Sequence, residues 1–489
     1  MVFSSITFIL IFLPVSMLVY LGSWLIFPDR FKFKILNIIL LLLSLTFYAW
    51  GEPSYIVLLI VSVFLNYFFA LAIEVNRGQM NAFVWLWIGI ITDVLFLIFF
   101  KYINFLLSIH IFGSLVDSLP EAVRPAPNFY VALPLGISFY TFQAISYLID
   151  IYRNTAKVSR SLVNFGCYLT MFPQLVAGPI VRYSTIEKEL IRRSISVANI
   201  SDGTEKFIYG LAKKILIADT CGQVADAAFS VPNAEVSFIV AWAGMICYSL
   251  QIYFDFSGYS DMAIGLGKIF GFSFPENFNY PYISRSIKEF WRRWHISLSS
   301  WFRDYLYIPL GGNRKGRIIT YFNLMFIFCL CGFWHGADWV FLLWGIYHGI
   351  FLVLERIFKH FFDNLPHLIG HIYTISVFMI GWLLFRSDSV DQFLSFLKGL
   401  INCNPLTPQT FKVCIKLFAY NVYIALILGI LLSAPVYPAI INKLQSQAGN
   451  RLTEKAVLSC RYLWTLLLLL LCLMPLYGST YNAFIYFRF

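Results

Sequence analysis

Apolar runs of roughly twenty residues recur from one end of this chain to the other, separated by short loops that hold much of its Lys and Arg. A chain of this kind has too little polar surface to cover a soluble core. In lipid, every backbone N–H and C=O must find its partner inside the protein, which leaves helices and closed barrels as the spanning structures. Long continuous runs favour helices. With 59% hydrophobic, 19% aromatic and only 12% charged residues over 489 positions, and a mean hydropathy of +0.74, the sequence reads as an all-α polytopic membrane protein. The net charge of +11 does not point to nucleic acid, because the basic residues sit between apolar runs, where orientation signals belong. The nine cysteines are scattered, and Cys329 and Cys331 lack the spacing of a zinc or redox motif, so free thiols and no metal are expected.

Basic loops set the topology. The first run, through Phe27, lacks a basic leader and is too long for a secretory signal, so it reads as a retained span. Arg30, Lys32 and Lys34 follow it and belong in the cytoplasm, which puts the N-terminus outside. Alternation then gives spans at Ile35–Trp50, Tyr55–Ala72, Phe83–Phe100 and Phe129–Ile151. The next run, FGCYLTMFPQLVAGPIV, has basic flanks on both sides and contains Pro173, Gly178 and Pro179; a re-entrant hairpin buried in protein accounts for both. Lys206–Phe229 reads as an outward span with a protein-facing polar side, followed by Val236–Phe254, Ile319–Gly332, Trp339–Leu354, Leu368–Phe385, Leu417–Pro435 and Tyr462–Leu476. The total is about twelve spans in one integral-membrane domain, residues 1–489, with both termini outside the cytoplasm.

The stretch from Tyr282 to Gly349 is unlike the rest. Its first half crowds Arg285, Lys288, Arg292, Arg293, Arg303, Arg314, Lys315 and Arg317 against Glu289 and Asp304, on the cytoplasmic side by the alternation above. Such a cluster orients the chain, binds anionic lipid, or holds a phosphate-bearing donor such as a coenzyme A thioester. His295 lies within it, where packing is the commoner use of a histidine. In the second half His335 stands at the break between two apolar runs, in Phe-Trp-His-Gly-Ala-Asp-Trp. A histidine there is costly to keep in lipid and serves either as a general base or as a hydrogen-bond partner between helices. His110, His348, His360, His367 and His371 lack such a context and read as structural or surface residues.

FWRRWHISLSSWFRDYLYIPLGGNR, followed by FWHGADW and LLWGIYHG, resembles the signature of the membrane-bound O-acyltransferase family, in its bacterial alginate O-acetylase branch. The resemblance extends to MVFSSITFILIFLP, FYAWGEP, LPLGISFYTFQAISYLIDIYR, FPQLVAGPI and QIYFDFSGYSDMAIGLGKIFGF, and so covers nearly the whole chain. It implies a ring of about 11–12 transmembrane helices, with re-entrant and short helices, around a central tunnel. It also implies that the family's invariant histidine is His335 and that a second, less central histidine is His295. Such proteins take an acyl group, acetyl in this branch, from a cytoplasmic thioester such as acetyl-CoA, with no tightly bound cofactor. They pass it across the inner membrane, usually to an extracytoplasmic SGNH-hydrolase-like partner that acylates alginate or another envelope polysaccharide. The ending Phe484-Ile485-Tyr486-Phe487-Arg488-Phe489 resembles a C-terminal motif of this branch whose tyrosine is proposed to carry the acyl group; an interfacial aromatic anchor is the other reading. The resulting expectation is a donor held at Arg292, Arg293 or Arg314, His335 as base toward Tyr486 or a bound acceptor, and His295 orienting the donor. A transporter or flippase would show paired broken helices in corresponding halves, which the sequence lacks, whereas a non-catalytic scaffold would tolerate loss of its histidines.

Overall fold

The structure is a computed structural model that describes residues 2–109, 130–402, 407–447, 451–478 and 481. His110, Cys403 and the tail 484–489 with Tyr486 lie outside the described residues. Among those described, every regular element is a helix. Nine are long and apolar enough to cross a membrane, and the Pro408–Leu417 and Tyr420–Leu432 pair, bent by 63°, makes a tenth if taken as one span.

This is fewer than the twelve spans expected, for reasons that are physical. Among the described residues of the expected span at 129–151, the helix begins at Ile137 and runs to Tyr152, and nearly all of it is buried by protein. The expected span at 206–229 lies within a run formed by Val197–Ala212, a π-helical turn at Lys213–Ala218 and Asp219–Phe229, and it carries too many charges to face lipid. The expected span at 417–435 is the bent pair. Apolar runs inside a large membrane protein are covered by other helices as well as by lipid, and length alone does not separate the two.

At the centre stands Phe238–Ile269, 32 residues and about 48 Å long. Of its apolar window 78% is buried, against 11–50% in the other candidate spans. It meets the charged run just described so closely that a Cβ on Gly210 would lie 2.5 Å from the Gly258 carbonyl oxygen, the small-residue contact that lets helix backbones touch in membranes. Ion pairs cross the same seam: Lys206 reaches Asp261 at 3.4 Å and Lys214 reaches Asp255 at 2.8 Å, with Glu276 beyond the central helix at 2.7 Å from Lys206 and Asp219 of the charged run at 2.6 Å from Lys214. The polar side expected of the 206–229 segment is therefore real, and it faces the central helix.

The segment expected to be re-entrant is two short helices, Leu162–Thr170 and Phe172–Leu175, broken where Pro173 enters. Residues 165–181 are all buried. Side chains satisfy the backbone that the break releases: Ser44 Oγ accepts from Phe172 N–H at 3.0 Å and Ser297 Oγ from Ile180 N–H at 3.0 Å. Broken backbone is tolerated at such depth only where protein surrounds it.

Removing the ammonium that both carboxylates face is the severe change at the central seam. Lys214→Ala should destabilise the protein by about 3–5 kcal/mol, read as a lower unfolding temperature in detergent. Lys214→Met combined with Asp219→Asn and Asp255→Asn should recover most of that loss.

Candidate active site

The helix Arg317–His335 ends on His335 itself. Gly336 makes the turn, and a Cβ there would lie 2.1 Å from the Phe341 ring and push it aside. Asp338 then caps the next helix, Trp339–Ile357, by accepting from Val340 N–H at 3.1 Å. The Trp-His-Gly-Ala-Asp-Trp sequence is thus a helix end, a close turn and a capped helix start, and the geometry accounts for Gly336 and Asp338.

His335 is 8% exposed. Three aromatic rings meet it edge-on: Trp334 at 4.9 Å, Trp344 at 5.2 Å and Phe385 at 5.2 Å between centroids. It lines a cavity of about 110 Å³ whose other polar side chains are Glu52, Lys101 and Ser138. A second cavity of about 330 Å³ shares Lys101 and Leu133 with the first and carries Asn104, Tyr130, Asp338 and Asp388. Both lie where the helices Asp29–Gly51, Met80–Ser108 and Arg317–His335 end together, on one face of the molecule.

His295 precedes the short helix Ile296–Phe302 with a left-handed backbone, φ 42°. Its Nδ1 lies 3.1 Å from Asn277 Oδ1, which also accepts from Ser297 N–H at 3.1 Å and Ser297 Oγ at 2.9 Å. A backbone N–H can only donate, so Asn277 presents its oxygen and His295 Nδ1 carries the proton. The lone pair is on Nε2, buried with no hydrogen-bond partner among the described residues. The Trp334 ring lies 6.3 Å from the His295 ring and 4.9 Å from that of His335. The structure therefore brings both expected histidines against one indole. His348, read from sequence as structural, is fully buried between Trp291 at 5.1 Å and Trp344 at 5.0 Å and joins the basic segment to the His335 cage through aromatic contacts.

The basic residues gather at the other face. Arg77 donates to the Ile151 carbonyl and Arg153 to that of Asp304, while Asp304 is held by Arg303 and by Arg182 at 2.7 Å. Burial alone would raise the Asp304 carboxyl; its hydrogen bonds and the charges of the two arginines outweigh that and hold it below the usual range. Of the three arginines expected at the donor, Arg292 and Arg314 are exposed, and Arg293 is tied to Glu289 at 3.0 Å and to the Asn279 carbonyl. Glu355 corrects the expectation that this cluster meets only Glu289 and Asp304, because its carboxylate accepts from the N–H groups of Ile287 and Lys288. From Arg317 to His335 the helix runs 19 residues, about 28 Å.

Sequence reading missed Lys101 and Asn277. It ended the fourth span at Phe100, whereas the helix continues to Ser108 and takes Lys101 into the protein, 8% exposed. A lone lysine beside an apolar run was the available signal. Asn277 had none, since it acts through a contact 18 residues along the chain.

Residues 153–386 match the membrane-bound O-acyltransferase family. A probable alginate O-acetylase AlgI of Azotobacter vinelandii is 41% identical over 395 residues, 80% of this chain and 76% of that protein. The protein of the same name in Pseudomonas aeruginosa is 41% identical over 80% of this chain and 73% of its own length. A peptidoglycan O-acetyltransferase of Helicobacter pylori is 37% identical over 83% and 80% respectively. The chain belongs to the membrane-bound O-acyltransferase family and is a multi-pass membrane O-acyltransferase.

Asn277→Leu keeps the volume and removes the acceptor that sets the His295 tautomer. Acyl transfer in membranes with matched protein levels should fall roughly 10- to 100-fold, less than the roughly 10²- to 10⁴-fold that a positioned imidazole itself contributes. Asn277→Asp, which keeps the acceptor, should lose less.

Proposed function

We propose that the protein takes an acyl group, acetyl by its relatives' names, from a cytoplasmic thioester such as acetyl-CoA and delivers it through the inner membrane to a hydroxyl on the other side. Both termini then lie outside the cytoplasm. The observation that carries this reading is the placement of His335: buried at a helix end, on a cavity, and beside the Trp334 ring that His295 also meets. The acceptor is an envelope polysaccharide, as the names of the alginate and peptidoglycan acetylases suggest, reached directly or through an extracytoplasmic SGNH-hydrolase-like partner.

The donor's phosphates dock among Arg292, Arg293 and Arg314, and its extended arm carries the thioester toward the histidines. His335 takes the proton of the attacking hydroxyl, whose oxygen adds to the thioester carbonyl. The tetrahedral intermediate expels the thiolate, which recovers a proton from the imidazolium. The products are an ester and a free thiol, and the imidazole returns to its starting state. His295, its proton held on Nδ1 by Asn277, orients the donor with Nε2. Tyr486 is either the first acyl acceptor, passing the group on, or an anchor.

His335→Ala should lower envelope acylation by roughly 10²- to 10⁴-fold at unchanged protein level; wild-type acylation in that variant would leave a non-catalytic scaffold in its place. Tyr486→Phe removes one hydroxyl and keeps the ring, so a loss of comparable size assigns the relay and normal acylation eliminates it. Both are read as ester-linked acyl groups released from purified envelope by mild alkali.

A further inference from the structure

Lys101 and Tyr102 close a π-helical turn, Ile98–Tyr102, set into the Met80–Ser108 helix. A π-turn inserts one residue into the helical repeat and recurs at functional sites. Here it directs two consecutive polar side chains at the helix that ends on His335. Tyr102 Oη donates to the Phe333 carbonyl oxygen at 2.9 Å. Lys101 Nζ donates to the Trp334 carbonyl oxygen and lies 3.4 Å from that of His335. Three successive carbonyls at one helix end are thus held by two successive side chains.

Those carbonyls need holding. The last four C=O groups of an α-helix have no partner within it, and Trp334 and His335 are buried. The Tyr102 ring also stacks on Phe333, with centroids 4.3 Å apart and planes within 10°. An ammonium has three N–H donors, and the remaining neighbour of Lys101 is Ser138 Oγ at 3.3 Å, on the Ile137–Tyr152 helix and in the wall of the His335 cavity. These contacts place Nζ between the helix end and the cavity wall. Its Nζ also lies 5.6 Å from the centre of the Trp334 ring that both histidines touch.

We propose that the π-turn Ile98–Tyr102 is a positioning clamp for the reaction: Lys101 and Tyr102 hold the His335 helix end in register with the cavity wall at Ser138, so that the imidazole is presented to the attacking hydroxyl. Lys101 is a positioning residue that acts through His335. The inference rests on His335 being the base, and the two clamping residues, Lys101 and Tyr102, lie outside the 153–386 segment that matches the family.

The test uses the full chain in inverted membrane vesicles with radiolabelled acetyl-CoA, reading acetyl incorporation into envelope ester, and diethyl pyrocarbonate modification of His335 read by mass spectrometry. Lys101→Met should lower kcat roughly 10- to 100-fold, the scale of an ångström-level misplacement, with the donor KM within about twofold, as expected for an interaction that acts in the transition state. Lys101→Arg should restore most of the rate, and Tyr102→Phe should show a smaller loss of the same kind. His335 should react with the reagent at an altered rate in Lys101→Met. Wild-type kcat in both Lys101→Met and Tyr102→Phe overturns the clamp, as does a raised donor KM at constant kcat, or a Lys101→Arg variant no better than Lys101→Met. Should acetyl-CoA prove not to be the donor, the modification rate decides alone, and an unchanged rate overturns it. Full activity in His335→Ala would instead remove the base, a failure separate from that of the clamp.

Discussion

A helix that ends inside a protein, away from water, leaves carbonyl oxygens that something must satisfy. The His335 end is such a place, and much of the site follows from how it is satisfied. Lys101 and Tyr102 supply donors from a neighbouring span, Gly336 allows Phe341 to close over the turn, and Asp338 starts the return helix. The imidazole that results is walled by Trp334, Trp344 and Phe385 and still borders a cavity.

The same accounting explains the interior. Short and broken helices carry His295 and the basic segment, and they exist at that depth because spans surround them. Charges are kept there in sets: Lys214 with Asp219 and Asp255, Lys206 with Asp261 and Glu276. The central helix is encased on nearly every side, so its polar residues meet helices and ion-pair partners in place of lipid. The helix Arg317–His335 sets Arg317 about 28 Å from His335, while Arg293 stands two residues before His295, which meets the same Trp334 ring as His335.

How much of this was legible in the chain depends on the range of the interaction concerned. The spans at Asp29–Gly51, Ile56–Val75 and Trp339–Ile357 announce themselves by continuous apolar sequence, and Pro173 and Gly178 announce the buried break, because length, hydropathy and backbone freedom are local properties. His335 was legible by its position at the end of a span. Lys101 was not, because the apolar run stops at Phe100 while the helix, supported by protein contacts, does not. The helix Ile137–Tyr152 reads like a span and is an interior element. Glu355 answers the basic segment from 67 residues away, and nothing near either partner marks the pair.

Taken alone, the sequence determined the helical, multi-pass class and singled out His335 at a span end and His295 within the basic segment, since each rests on composition or on neighbours within a few turns. The tertiary structure alone decided which apolar helices face protein, that Asn277 sets the His295 proton on Nδ1, and that His295 and His335 share Trp334. Those outcomes arise where segments distant along the chain compete to bury the same polar groups, and only the assembled packing resolves that competition.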